Sequence, residues 1–161
     1  MKVRDLLEQW GLKSLKLTLG FVEGEFAPQD VDRDAAWELY IELVTRIATQ
    51  KLPAEFGDEH AALKSIYDLW GLLRTSLKTH RGCTAFAKLA IPFFNQEIRP
   101  FTARWHKESI ANGLDTVAGK TAFRQELEAL RTRMVAFTGL LSAIAGVEDI
   151  TPEILADAET A

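Results

Sequence analysis

Apolar residues recur at helical spacing over five stretches of the chain and at strand spacing over one. Val3, Leu6, Leu7 and Trp10 share one face of a short helix over residues 3–10, with Gly11 just past its end as the stop. Residues 15–26 read differently. Leu15, Leu17, Leu19 and Phe21 alternate at period two, which predicts one strand or a small β-hairpin, closed by Pro28. Asp30, Asp32 and Asp34 then open a long helix to about Gln50. Acids suit the positive end of the helix dipole, and Asp30 is placed as its N-cap. The apolar face of this helix is Trp37, Tyr40, Ile41, Val44 and Ile47.

Leu52-Pro53 and Gly57 mark a loop, after which Asp58 is placed to cap a helix running to about His80. Its stripe is Leu63, Ile66, Trp70, Leu73 and Leu77, and Arg81-Gly82 ends it. Residues 84–109 carry Phe86, Leu89, Ala90, Phe93, Phe94, Ile98, Phe101 and Trp105, interrupted by Pro92 and Pro100. Each proline removes a backbone donor and crowds the preceding turn, so a kink or break is expected, with Pro100 starting a new helix. Residues 121–145 carry Phe123, Leu127, Leu130, Met134, Phe137, Leu141 and Ile144 at alternating spacings of four and three, up to Gly146. Thr151-Pro152-Glu153 starts a short terminal helix.

The fold class that follows is all-α: a four-helix up-down bundle over residues 30–146. An N-terminal helix plus extended segment (1–28) and a C-terminal tail (147–161) complete a single domain. The four tryptophans, Trp10, Trp37, Trp70 and Trp105, fall one to a helix in the first four and are assigned to the core.

Composition narrows the classes. With 161 residues, 47% apolar and 26% charged, the chain is neither disordered nor a disulfide scaffold. Its one cysteine, Cys83, leaves no partner for an intramolecular disulfide and too few thiolates for a Cys-based zinc site. Residues 1–5 lead into an amphipathic segment rather than an apolar signal region. The longest apolar run, Leu89 to Phe94, is far below the roughly 20 residues of a membrane helix. A cytoplasmic chain with no membrane contact is the expectation. The net charge of −4 hides a pattern: −5 over residues 1–62, +5 over 63–110 and −4 over 111–161. The basic middle third is a candidate anion-binding or nucleic-acid face, unless acidic helices pack against it and neutralise it.

Several motifs fail on spacing. Gly113 to Thr121 imitates a phosphate-binding loop, but five residues separate Gly113 from Gly119 instead of four, and no buried strand precedes them. Asp30, Asp32 and Asp34 imitate a calcium loop, but Ala35 stands where the turn glycine is needed and Ile41 where the bidentate Glu belongs. His60, His80 and His106 have no spacing that would place two metal ligands on one helix face, so neither metal nor cofactor is expected. A Ser-His-Asp or Cys-His set can converge from distant positions. No Gly-x-Ser-x-Gly elbow marks one, and Cys83 beside Gly82 has no local signature.

Two arrangements carry a mechanism. Arg99 precedes His106 by seven positions and Arg74 precedes His80 by six, both within the basic third. An arginine can stabilise charge on a scissile phosphate while a histidine moves protons around a ribose 2′-OH. Both spacings resemble the Arg-x(4–6)-His motif of the HEPN family of all-helical ribonucleases. The resemblance implies metal-independent RNA cleavage at Arg99/His106 or Arg74/His80. The polar residue that usually follows the family's arginine is Thr75 in the second pair, whereas Pro100 takes its place in the first. The chain as a whole, Asp34 to Tyr40 included, is also similar to small bacterial helical proteins of no assigned activity.

The segment 95–106 concentrates the candidate ligand-binding residues Asn95, Arg99, Arg104, Trp105 and His106 around a proline. The competing expectation is that Arg99 and Arg104 pair with acids of neighbouring helices while Phe101 and Trp105 fill the core. The first functional expectation is a non-enzymatic interaction or regulatory module that binds a protein partner or a second copy of itself. The alternatives are the ribonuclease and a binder of a small anionic or nucleotide ligand.

Overall fold

The computed structural model describes residues 1–46 and 51–160. The chain is predominantly α-helical. In order come α1 (Val3–Gln9), α2 (Leu19–Val22), α3 (Asp30–Val44), α4 (Glu59–Thr79), α5 (Thr84–Phe93), α6 (Arg99–Ile110), α7 (Val117–Ala145) and α8 (Thr151–Thr160). A π-helical turn, Phe94–Ile98, joins α5 to α6, and a 3-10 turn, Gly113–Asp115, precedes α7. Ile47 and the expected continuation of α3 to Gln50 lie outside the described residues.

The strand or hairpin expected over 15–26 is corrected. No strand forms among the described residues, where the one β-type pairing is an isolated bridge between Lys2 and Glu25. Leu15 is buried, Leu19 is 72% exposed and α2 occupies the middle of the segment, so alternate residues do not share a face. At Lys16 the backbone groups a partner strand would use are taken by a side chain. Lys16 N–H donates to Gln96 Oε1 at 2.9 Å, and Gln96 Nε2 donates to the Lys16 carbonyl at 2.7 Å.

α3 starts at Asp30, yet the capping carboxylate is Asp32, whose Oδ2 accepts the Gln29 N–H at 2.9 Å. Its buried face is Ala35, Ala36, Leu39, Tyr40, Leu43 and Val44. Trp37 and Ile41, expected in the core, are 46% and 39% exposed. The small alanines explain the rotation, because they let α3 lie close along α7, its main packing partner. Trp37 instead stacks on the outside of Tyr40, with ring centroids 5.8 Å apart.

Asp58 caps α4, its Oδ1 accepting the Ala61 N–H at 2.6 Å. Pro92 lies inside α5, and Pro100 stands in the first turn of α6, with the π-turn between the two helices. Pro100 cannot donate to the Gln96 carbonyl four residues back, and its ring crowds that turn. The backbone responds by widening, so that Arg99 N–H bonds the Phe94 carbonyl five residues back. This π-turn sends three consecutive side chains to three places. Asn95 bonds Arg99, Gln96 clamps Lys16, and Glu97 forms an ion pair with Arg133 of α7.

The glycines of the loop-like 113–121 stretch belong to a helix start. Thr116 Oγ1 accepts the Gly119 N–H at 3.0 Å as the α7 N-cap, and a Cβ at Gly119 would collide with the Gly113 carbonyl. The core gathers on α7. Phe137 stacks face to face on Phe93 with centroids 4.0 Å apart, and Phe123 meets Phe101 and Trp105 at 5.5 and 5.1 Å. No helix among the described residues is long and apolar enough to cross a membrane.

Candidate functional site

Helices α4 and α6 lie side by side and enclose a recess of about 250 Å³ lined by Tyr67, Trp70, Arg74, Arg99, Thr102, Ala103 and His106. The spacing of these residues explains their convergence. Tyr67, Trp70 and Arg74 are separated by three and four positions on α4, and Arg99, Ala103 and His106 by four and three on α6. Each trio therefore occupies one helical face, and the two faces meet.

Arg99 is exposed and braced on two sides. Its guanidinium carbon lies 4.4 Å from the centroid of the Trp70 ring, a cation–π stack. Its Nε and Nη2 donate to Asn95 Oδ1 at 3.1 and 3.0 Å. Asn95 is a neutral acceptor, so it orients Arg99 without cancelling its charge. Arg74, on the opposite wall, is exposed and has no hydrogen bond or ion pair among the described residues. No carboxylate lines the recess. His106 is partly buried, with Tyr67 edge-on at 4.8 Å between ring centroids. Thr102 Oγ1 is turned away, donating to the Ile98 carbonyl at 3.1 Å. The arrangement presents two cationic forks, an imidazole and two aromatic rings to one small volume, a set suited to an anion carried on or near a planar group.

The other candidates lie elsewhere. Arg104 forms an ion pair with Glu126 of α7, and Trp105 Nε1 donates to the second oxygen of that carboxylate at 2.8 Å. Both therefore face α7, on the side of α6 away from the recess, and Trp105 is buried in the core. His80 meets Glu38 of α3 at 3.0 Å. The six-residue offset from Arg74 turns His80 about 120° around the helix, which carries it off the recess. His60 sits at the start of α4 between Ser109 and Asp115. Sequence reasoning did not single out Tyr67, and it gave Trp70 only a core role. The signal available was the 67, 70, 74 spacing, which puts an arginine and two aromatic rings on one face.

Two other groups are accounted for structurally. Cys83 is buried, and burial together with the nearby Asp32 charge pushes its thiol above the ordinary value, leaving it a poor nucleophile. Asp32 itself accepts two backbone N–H bonds, from Gln29 and Phe86, so its carboxylate is engaged within the fold. No family model, curated protein or solved structure matches the chain.

Proposed function

We propose that the chain is a binding module whose α4–α6 recess holds a small anion, of the chemistry of a phosphate or the phosphate end of a nucleotide, without turning it over. The observation that carries this reading is the pairing of Arg74 with the stacked, amide-braced Arg99 across one recess with no carboxylate in it. Both guanidinium groups open onto the same recess, where one oxyanion can accept from the two forks at once. The scaffold is read as a four-helix up-down bundle of α3, α4, α7 and the bent α5–α6 rod, supported by the packing of α3 on α7, α4 and α5 and of α4 on α6.

The test is an NMR titration of the full chain with inorganic phosphate and with adenosine 5′-monophosphate. Backbone and guanidinium shifts confined to Tyr67, Trp70, Arg74, Arg99 and His106, and lost in Arg74→Ala, support the reading. Shifts spread over the surface, or none at millimolar ligand, overturn it.

A second reading has its own observation. Arg99 and His106 stand two turns apart on one face of α6, and both line the recess. That placement suits metal-independent ribonuclease chemistry, with Arg99 on the developing phosphorane charge and His106 moving the proton. Incubation with labelled RNA in the presence of chelator, wild type against His106→Ala, separates cleavage from binding. The interaction reading, a protein partner or a second copy, has support in the exposed Trp37 and Ile41 on α3, and light scattering reads it out.

A further inference from the structure

We infer that Ser109, His60 and Asp115 form an acyl-transfer centre that takes small activated esters, independent of the anion reading of the recess. His60 lies in the first turn of α4, Ser109 in the last turn of α6 and Asp115 in the 3-10 turn before α7. Ser109 Oγ is 3.3 Å from His60 Nδ1, and His60 Nε2 is 3.1 Å from Asp115 Oδ1. In the neutral imidazole one tautomer satisfies both contacts. A carboxylate only accepts, so in that neutral form Nε2 carries the proton and the Nδ1 lone pair faces the serine hydroxyl. That is the order nucleophile, base, orienting acid, assembled from three elements without a nucleophile elbow in the sequence.

The serine is turned toward this role. A helical serine usually bonds a backbone carbonyl one turn earlier. Ser109 instead makes its side-chain hydrogen bond across to α4. Exposure decides the substrate. The His60 and Asp115 side chains are 48% and 60% exposed. At such exposure water supplies most of the solvation of an oxyanion. Small esters with good leaving groups are the substrates this geometry serves.

The step balances on these residues and water. Ser109 Oγ attacks the acyl carbon as its proton passes to Nδ1, and the carbon–oxygen bond to the leaving group breaks with that proton returned to the departing oxygen. Water then attacks the acyl-serine, again through Nδ1, releasing the carboxylic acid and restoring the hydroxyl.

The test uses the full chain with p-nitrophenyl acetate, read by intact mass, peptide mapping and the burst of nitrophenolate. Expected is an acetyl group on Ser109, formed roughly tenfold or more faster than in His60→Ala, with Asp115→Asn intermediate and no burst in Ser109→Ala. The three side chains lie at the surface, and circular dichroism of each variant confirms that the fold is kept. Acetyl found only on lysine or on other histidines overturns the inference, as does a Ser109 labelling rate unchanged in His60→Ala. Free imidazole catalysis by His106 releases nitrophenolate without leaving acyl-serine, so the adduct distinguishes the two.

Discussion

The buried carboxylate of Asp32 accepts the backbone N–H of Phe86 at 3.0 Å, so a side chain of α3 caps α5. Cys83, at the N-cap position of α5, offers no capping bond of its own. The same carboxylate accepts the Gln29 N–H through its other oxygen. One residue therefore closes two helix starts, and the Phe86 amide among them is buried. Asp32→Ala leaves two helix-start donors unpaired and should lower stability by about 2–3 kcal/mol in urea unfolding, with Asp32→Asn recovering part of the loss. An unchanged midpoint would show that the two helix starts find other acceptors.

Arg99 is predicted to be more than a positive charge. Its stack on Trp70 and its two bonds to Asn95 require a planar fork. Arg99→Lys keeps the charge but should weaken phosphate binding about tenfold in titration calorimetry. Asn95→Ala should weaken it less, through loss of orientation. Equal affinity in wild type and Arg99→Lys would show that the recess reads charge alone.

Much of the helical framework is legible in the sequence, because the aliphatic and phenylalanine stripes of α4 and α7 are long and regular. Where burial rests on small residues the pattern misleads. α3 packs through Ala35 and Ala36, and a reading weighted to large side chains turns that helix outward-in at Trp37 and Ile41. The 15–26 segment misleads for another reason. The backbone of Lys16 is bonded by Gln96, eighty positions away, and no local alternation encodes a side-chain clamp. For the recess, the α6 half was visible as the Arg99 and His106 spacing. The α4 half needed the register between two helices, which depends on packing rather than on either stripe.

Gly139 faces the indole of Trp10, and a Cβ at that position would overlap the ring. The close approach lets Trp10, just past the end of α1, seat its ring on α7. Gly139→Ala should displace Trp10, costing about 1–3 kcal/mol despite the better helix propensity of alanine. Trp10 emission should shift to the red in the variant, read against Trp10→Phe to remove the other three tryptophans. A gain in stability would mean that α1 can move aside freely.

Glu59 and Arg124 give the fold a pH dependence of defined sign. Burial alone would raise the Glu59 pKa, but the Arg124 guanidinium bonded at 2.7 Å, the residue's own backbone N–H and the nearby Lys120 charge outweigh it and hold the carboxyl below the ordinary value. Arg124 also donates to the Pro53 and Gly57 carbonyls at 3.0 and 3.1 Å, so the pair pins the loop before α4 onto α7. A carboxyl lowered in the folded state contributes its full stability above the unfolded Glu value, and loses it as pH falls through the folded one. Glu59→Gln should therefore cost about 2 kcal/mol near neutral pH, and wild type and variant should converge in acid. Urea unfolding of both chains across that range checks it. A gap that stays constant with pH would assign the stability to Arg124 and the loop carbonyls instead of to the charge on Glu59.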